Sequence, residues 1–328
     1  MMDPSLSQSS PLPLVSVIVL TRNRADSLDR TLKALSKLEY ESYEVIVVDN
    51  GSTDHTPELA RERPVRYLFC PPEFGIARCR REGVSSARGE IIAFCDDDCV
   101  PFPDWLTHIV HRLSVKTDIG ILGGQIINIG FQGKHEYKGR QKWTNRNGKL
   151  AFCADPAEAD FFGNANLSFR KDVYDTLSGY DPFYIAGMAE IDLAMQFHRA
   201  GYRSAYEPKA TVEHHFTGLN LKRGRFFYDL HLMRLYFYLK HFRPAGLKQY
   251  AAFGYRELRI LAGDLWKWSR AFASALFKGK FQRLKALPVE LLNIISARIA
   301  IPWILHLHSS AGISHPMEPD MQPRSLHP

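Results

Sequence analysis

The first hundred residues alternate between short apolar runs and segments with helical spacing. Residues 14–20 form a stretch rich in Val and Ile, as expected of a strand buried on both faces. Thr21-Arg22-Asn23-Arg24 follows, Asp26 is placed to cap a helix, and Leu28, Leu32, Leu35 and Leu38 recur at helical spacing. Residues 44–48 predict a second buried strand, and Asp49-Asn50-Gly51-Ser52 is turn chemistry. A short helix over 57–63, a strand over 66–69, a helix over 75–87 and a strand over 91–95 continue the series. This β-α-β-α-β-α-β order predicts an α/β fold with a Rossmann-like, mostly parallel sheet and helices on both faces. Ligands bind such sheets at the carboxyl ends of the strands. Topology alone therefore gathers residues 21–24, 49–52 and 96–98 on one edge.

Beyond Asp104 the pattern loosens. A helix is expected over 105–113 and one or two strands over 119–129, while 131–150 are polar and without period, like a lid, a binding loop or disorder. A strand over 167–170 and a helix over 171–177 ended by Gly179 follow. The helix over 189–200 is closed by Gly201, and two short strands, 202–206 and 210–213, lead to His214-His215.

The composition is that of a globular protein, 45% hydrophobic and 23% charged among 328 residues, which excludes a wholly disordered chain or a polytopic membrane protein. The net charge of +7 is divided unevenly: residues 1–216 carry 25 Lys and Arg against 29 Asp and Glu, and residues 217–328 carry 17 against 6. The second part, at +11, calls for a polyanion such as an anionic membrane face. Five Cys, at 70, 79, 95, 99 and 153, contain no C-x-x-C pair, so reduced thiols in a cytoplasmic compartment are expected. Residues 1–13 lack the basic start and apolar core of a signal peptide and read as a disordered lead.

Asp96-Asp97-Asp98 directly follows a buried strand. Three adjacent carboxylates there are costly without a positive partner, and a hard divalent cation is the natural one. The other reading is a solvated acidic or capping loop. Cys95 and Cys99 flank the cluster as packing residues.

The stretches VSVIVLTRNRADSLDRTLKAL, EVIVVDNGSTD, GIARCRREGVSSARGEIIAFCDDD and FFGNANLSFRKDVY occur in this order between about residues 15 and 215. Together they resemble family 2 glycosyltransferases of the GT-A fold. The resemblance implies transfer of a sugar, with inversion, from a nucleotide-diphospho-sugar donor to an acceptor hydroxyl. It places Thr21, Asn23 and Arg24 along the nucleotide, with Asp49 and Gly51 beside its base. Asp96 and Asp98 become the paired carboxylates that take Mn²⁺ or Mg²⁺, Asp96 and Asp97 also bordering the nucleotide. A cation there neutralises the charge developing on the leaving diphosphate. Arg78, Arg80 and Arg81 are candidate phosphate partners or a solvated helix face. Gly163, Asn164 and Asn166 match the loop beside donor sugar and acceptor, or else form a turn into the next strand. His214 is a candidate further metal ligand, with His215 its rival.

The family's general base lies in an E-D-x-D-L-like segment, which here reads Ala189-Glu190-Ile191-Asp192-Leu193. Glu replaces Asp at the base position. One added methylene moves the reacting oxygen by about a bond length, and misplacement of about 1 Å can cost ~10²-fold. Glu190 is the candidate base and Asp192 the reserve. Each also reads without catalysis, Glu190 as a first-turn acid favouring the helix dipole and Asp192 as support.

Residues 222–243 interleave bases with Tyr and Phe, as would an amphipathic helix in a bilayer interface or a core helix with its bases reaching outward. Residues 287–307 are apolar but carry Glu290, Arg298 and Pro302, so no stretch is licensed to span a membrane. The organisation expected is a lead (1–13), a GT-A domain (14–216), a basic helical region (217–308) and a disordered tail (309–328). Peripheral attachment to the cytoplasmic face of the inner membrane fits a glycan or lipid-linked acceptor in bacterial envelope polysaccharide, lipopolysaccharide or glycolipid synthesis, and no nucleic acid is expected. Two alternatives remain. A sugar-nucleotide pyrophosphorylase would need a Gly-rich first loop, which TRNRADS lacks. A non-catalytic nucleotide-sugar-binding or scaffold protein is compatible with the altered base segment.

Overall fold

The computed structural model describes residues 12–130, 140–144, 149–152, 155, 158–185, 187–215, 223–242 and 247–277. Most of the expected lead, residues 131–139, the 287–307 stretch and the expected tail lie outside the described residues. The chain divides into two compact units, residues 1–145 with 149–219, and 146–148 with 220–328.

The first unit opens with β1 (Val15–Thr21), α1 (Ala25–Leu35), β2 (Tyr43–Asp49), α2 (Thr56–Arg61), β3 (Arg66–Phe69), α3 (Gly75–Ser86) and β4 (Ile91–Cys95). Strands β3, β2, β1 and β4 pair in parallel, with Thr21 opposite Asp49. The apolar runs are buried on both faces because alternate residues serve different layers. Val15, Val17, Val19, Val45 and Val47 share a core cluster with Leu28, Leu32 and Leu35 of α1 and with Trp105 and Ile109 of α4 (Trp105–Val115). Ile18 and Val48 meet α3, where a Cβ on Gly83 would stand 2.9 Å from Ile18.

Asp26 does not cap α1. Arg24 occupies the cap position with no side-chain bond, and Asp26 sits in the first turn, where a negative charge faces the positive end of the helix.

The second half is less uniform than a mostly parallel sheet. Among the described residues the order is β3-β2-β1-β4-β10-β6-β11-β5. Strand β10 (Asn166–Arg170) runs antiparallel to β4 and to β6 (Ile119–Ile129). Strand β11 (Arg203–His215) is parallel to β6 and antiparallel to the short edge strand β5 (Cys99–Pro101). The two strands expected over 202–213 are one, interrupted by a register shift between Glu207 and Thr211. Gly124 makes this shift fit, since a Cβ there would stand 2.1 Å from the Ala210 carbonyl.

Part of the aperiodic stretch 131–150 is ordered as sheet. Strands β7 (Arg140–Thr144) and β8 (Lys149–Phe152) pair antiparallel, and β9 (Phe161–Phe162) adds to β7. Helices α5 (Lys171–Asp175) and α6 (Ala189–Arg199) complete the unit; Gly201 (φ 89°) closes α6 as expected, whereas α5 ends at Asp175, short of Gly179 (φ 69°). The second unit contains α7 (Arg223–His241) and α8 (Leu247–Phe277), joined by the Arg234–Glu257 ion pair.

Candidate active site

The carboxyl ends of β1, β2 and β4 deliver Thr21, Asp49 and Asp96 to one edge of the sheet. Their loops are latched together. The Asn23 backbone, at φ 53°, donates to Ser52 Oγ (2.8 Å), and the Ser52 hydroxyl donates to Asp49 Oδ1 (2.6 Å). Asn23 Oδ1 accepts from the Thr53 amide at 2.7 Å. Tyr67 donates its hydroxyl to Asp49 Oδ2 at 2.7 Å, so both oxygens of the fully buried Asp49 are engaged. Gly51 (φ 69°) lets Pro72 approach to 2.4 Å from where a Cβ would stand.

The aspartates after β4 have three different environments. Asp97 is buried, accepting from Thr21 Oγ1 (2.8 Å) and Arg24 Nη1 (2.7 Å). Burial outweighs the guanidinium and pushes its pKa up to about 6. Asp98 receives Arg24 Nη1 on Oδ2 at 2.9 Å and faces His214 Nε2 from Oδ1 at 3.2 Å. Burial works against its charge, but the His214 bond and the nearby positive charges prevail, and its pKa lies below the usual carboxylate range. Asp96 stays partly open. Burial raises its pKa, Arg80 opposes this, and the charges of Asp98 and Glu190 add to the rise.

His214 arrives because β11 pairs antiparallel with β5, which places it opposite Cys99, the residue after the triad. Its Nδ1 stands 3.2 Å from Asn128 Oδ1 at the end of β6. Burial lowers the imidazole pKa, but Asp98 raises it further, to a net increase. His215 points to the other face of the strand and pairs with Glu213 at 3.2 Å. The rivalry between the two histidines is thereby settled in position: His214 is the one at the triad.

Asp98, Cys99 and His214 offer ligand atoms within 4.8 Å of one another. The Cys99 thiol is hydrogen-bonded to Cys95 and buried, both of which raise its pKa, and it is a softer donor than the other two. The Asp98 carboxylate and the His214 imidazole are donors that could together take a divalent cation. A ring that holds a proton against Asp98 can hold a cation there in its place.

The segment that leads into α6 begins with strain. Met188 is buried at φ 65°, a left-handed conformation that costs a side-chain-bearing residue about 1–2 kcal/mol, and it turns the chain into α6. Glu190 is half-buried and accepts from Asn164 Nδ2 at 3.3 Å, while Asn164 Oδ1 accepts from Tyr180 at 2.6 Å. Asp192 is fully buried, with Tyr184 on Oδ1 (3.1 Å) and Gln196 on Oδ2 (2.8 Å). Gly163 precedes this cluster in a turn whose carbonyl accepts from the Asn166 amide. The Asn166 side chain lies in the core, accepting from Trp105 Nε1 and donating to the carbonyls of Gln125 and Ala210. That placement suits bracing the sheet.

Of the three arginines on α3, Arg80 is the one whose charge bears on Asp96 and Tyr180. Arg78 covers the Phe74 ring at 3.5 Å, and Arg81 is exposed. Sequence reasoning missed Asn128, Tyr67, Tyr180 and Tyr184. A polar residue ending the apolar run of β6 was a signal for Asn128; the tyrosines gave none.

Residues 16–178 match the family described as Glycosyl transferase family 2. Glycosyltransferase AglE of Haloferax volcanii is 31% identical over 186 residues, 55% of this chain and 60% of the relative. The glucosyl-dolichyl phosphate glucuronosyltransferase of the same organism is 26% identical over 174 residues, 51% of this chain and 56% of the relative. The chain thus spans less than two thirds of the length of these relatives. The mannosyltransferase PcManGT of Pyrobaculum calidifontis, solved with GDP-Man and Mn²⁺, shares the fold at TM-score 0.53 and 17% identity, over 90% of this chain and 88% of that one. S. aureus TarS 1–349 does so at TM-score 0.51 and 16% identity, over 69% of this chain and 65% of that one. The ordered motifs and the sheet that brings their polar residues to one edge thus have a common origin: this chain belongs to glycosyl transferase family 2 and has the GT-A fold.

Proposed function

We propose that the chain is a metal-dependent, inverting glycosyltransferase that uses a nucleotide-diphospho-sugar and Glu190 as its general base. The observation carrying this reading is the contrast within α6: Glu190 is partly open and its charge bears on Asp96, whereas Asp192 is sealed between Tyr184 and Gln196. A base must reach the proton it removes, and only Glu190 is free to do so.

Asp98, His214 and Asp96 would hold Mn²⁺ or Mg²⁺, whose charge stabilises the departing nucleoside diphosphate. Asp49, Ser52 and Tyr67 shape the wall offered to the base of the nucleotide, and the latched loop carrying Thr21, Asn23 and Arg24 lies beside it. Arg80 adds positive charge from α3. Asn164, held by Tyr180, orients Glu190. The Glu190 carboxylate takes the proton of the acceptor hydroxyl as that oxygen bonds to the anomeric carbon. The bond from this carbon to the diphosphate oxygen breaks with its electron pair, and the anomeric configuration inverts. The GDP-Man, UDP and UDP-GlcNAc complexes of the structural neighbours support a nucleotide-sugar donor. The likeness to the glucosyl-dolichyl phosphate glucuronosyltransferase supports a lipid-linked acceptor, consistent with envelope polysaccharide or glycolipid synthesis.

The test separates binding from chemistry. Glu190→Gln is expected to bind nucleotide with Mn²⁺ as the parent does and to lose about 10²–10⁴-fold in transfer or donor hydrolysis. If Asp192→Asn is the inactive variant and Glu190→Gln is not, the base is misassigned. If the parent binds nucleotide sugar but never releases sugar across a donor panel, the chain is a binder.

A further inference from the structure

The second unit exposes apolar side chains that a water-facing helix does not need. On α8, Tyr255, Leu258 and Trp266 are 64%, 65% and 60% exposed. Their spacing of three and then eight residues puts them on one stripe with the exposed Ala262 and Ala273. Lys248, Arg259 and Arg270 are exposed along the same side, and the Arg270 guanidinium lies 4.8 Å from the Trp266 ring centroid. Among the described side chains, this exposed face carries no acid. Glu257 is buried and paired with Arg234 of α7 at 2.5 and 3.1 Å.

We infer that this stripe of α8 lies on an anionic bilayer surface, with Tyr255, Leu258 and Trp266 in the interfacial layer and Lys248, Arg259 and Arg270 among the headgroups. Rings with polar edges favour that layer, and long basic side chains reach from it to phosphate. No described helix is long and apolar enough to cross a membrane, so α8, 31 residues and about 46 Å long, is suited to lie along the surface. Charge selects lipid over a second copy of the chain. Residues 217–328 carry a net +11, which two copies would bring together and an anionic surface would neutralise. The inference rests on and deepens the lipid-linked-acceptor reading, because it tethers the chain to the surface that would present such an acceptor.

The full-length chain is mixed with phosphatidylcholine vesicles or with mixed phosphatidylcholine–phosphatidylglycerol vesicles and sedimented. Partition is expected on the mixed vesicles, weakening as salt rises, and to fall about tenfold or more in both Tyr255→Ser/Leu258→Ser/Trp266→Ser and Arg259→Glu/Arg270→Glu. Trp266→Phe should remove most of the lipid-induced blue shift of the emission. No partition of the parent, or equal partition of parent and both variants, overturns the inference. So does a dimer by light scattering that the serine substitutions split, which would make a second copy the occupant. Should the triple variant fail to fold by circular dichroism, the charge-reversal variant decides alone. The thermal shift with nucleotide and Mn²⁺, read on the same samples, reports on the donor site separately, so a failure of the membrane reading is distinguishable from a failure of the transferase reading.

Discussion

Arg24 is where two buried aspartates find their positive charge. One guanidinium nitrogen serves both Asp97 and Asp98, at 2.7 and 2.9 Å. Removing it leaves the carboxylates facing only Thr21, His214 and each other. Arg24→Ala is therefore expected to lose about 1–3 kcal/mol without metal and to regain part of it in Mn²⁺; chemical denaturation with and without the ion measures this. Equal losses in both conditions would mean that the ion does not sit at Asp98. The residue types at this site were readable from the chain, since Asp96, Asp97, Asp98, Glu190 and His214 all stood out. Their division of labour was not. Asp97 accepts from Thr21 and Arg24, more than seventy residues away, because β1 lies beside β4, and Asp192 is sealed because the turn before α6 folds Tyr184 back over it.

At the scale of elements, Glu44 ties β1, β2, β3 and the approach to β4. It accepts from Ser16 Oγ (2.7 Å), the Arg88 amide (2.8 Å) and Arg66 Nη1 (3.1 Å). Burial opposes its charge, but these donors hold its pKa down at about 2. A carboxylate whose pKa is lower in the folded state stabilises fully above its unfolded pKa, near 4.5, and loses that contribution as pH falls through about 2. The stability difference between the parent and Glu44→Gln should thus be largest near neutral pH and shrink as pH falls from about 4.5 towards 2. A difference that is flat across that window in denaturant melts would contradict the bond network. Gly124 offers a second element-scale test. Gly124→Ala drives a methyl into the Ala210 carbonyl and the Asn166 amide, so a loss of about 1–3 kcal/mol or more is expected, with Trp105 fluorescence perturbed through its bond to Asn166. The strands β7 and β8 escaped pattern reading because Arg140-Gln141-Lys142-Trp143-Thr144 has no hydrophobic alternation; backbone pairing defines it instead.

For the molecule as a whole, a donor-site ligand couples to global stability. A nucleoside diphosphate with Mn²⁺ at a hundred times its dissociation constant should add about 2.7 kcal/mol to unfolding. Screening GDP and UDP by thermal shift identifies the preferred base, and Asp98→Ala should abolish the metal-dependent part. A full shift in that variant would place the ion elsewhere. The uneven charge of the chain acts at this scale too, since residues 1–216 are net acidic and residues 217–328 net basic, so an anionic surface repels the one and attracts the other.

The chain itself determined the order β1-α1-β2-α2-β3-α3-β4, because burial on two faces forces continuous apolar runs whose flanks are turn-forming. It also determined which acids end up at the sheet edge, because that edge is a consequence of topology. Only the tertiary structure decided that β10 and β5 reverse direction, that the imidazole of His214 rather than His215 meets the Asp98 carboxylate, that the charge of Arg80 rather than Arg78 bears on Asp96, and that Glu190 is open where Asp192 is closed. Most of those outcomes depend on contacts between residues far apart in sequence, and the closing of Asp192 on how the turn before α6 folds back; periodicity along one segment carries no information about either.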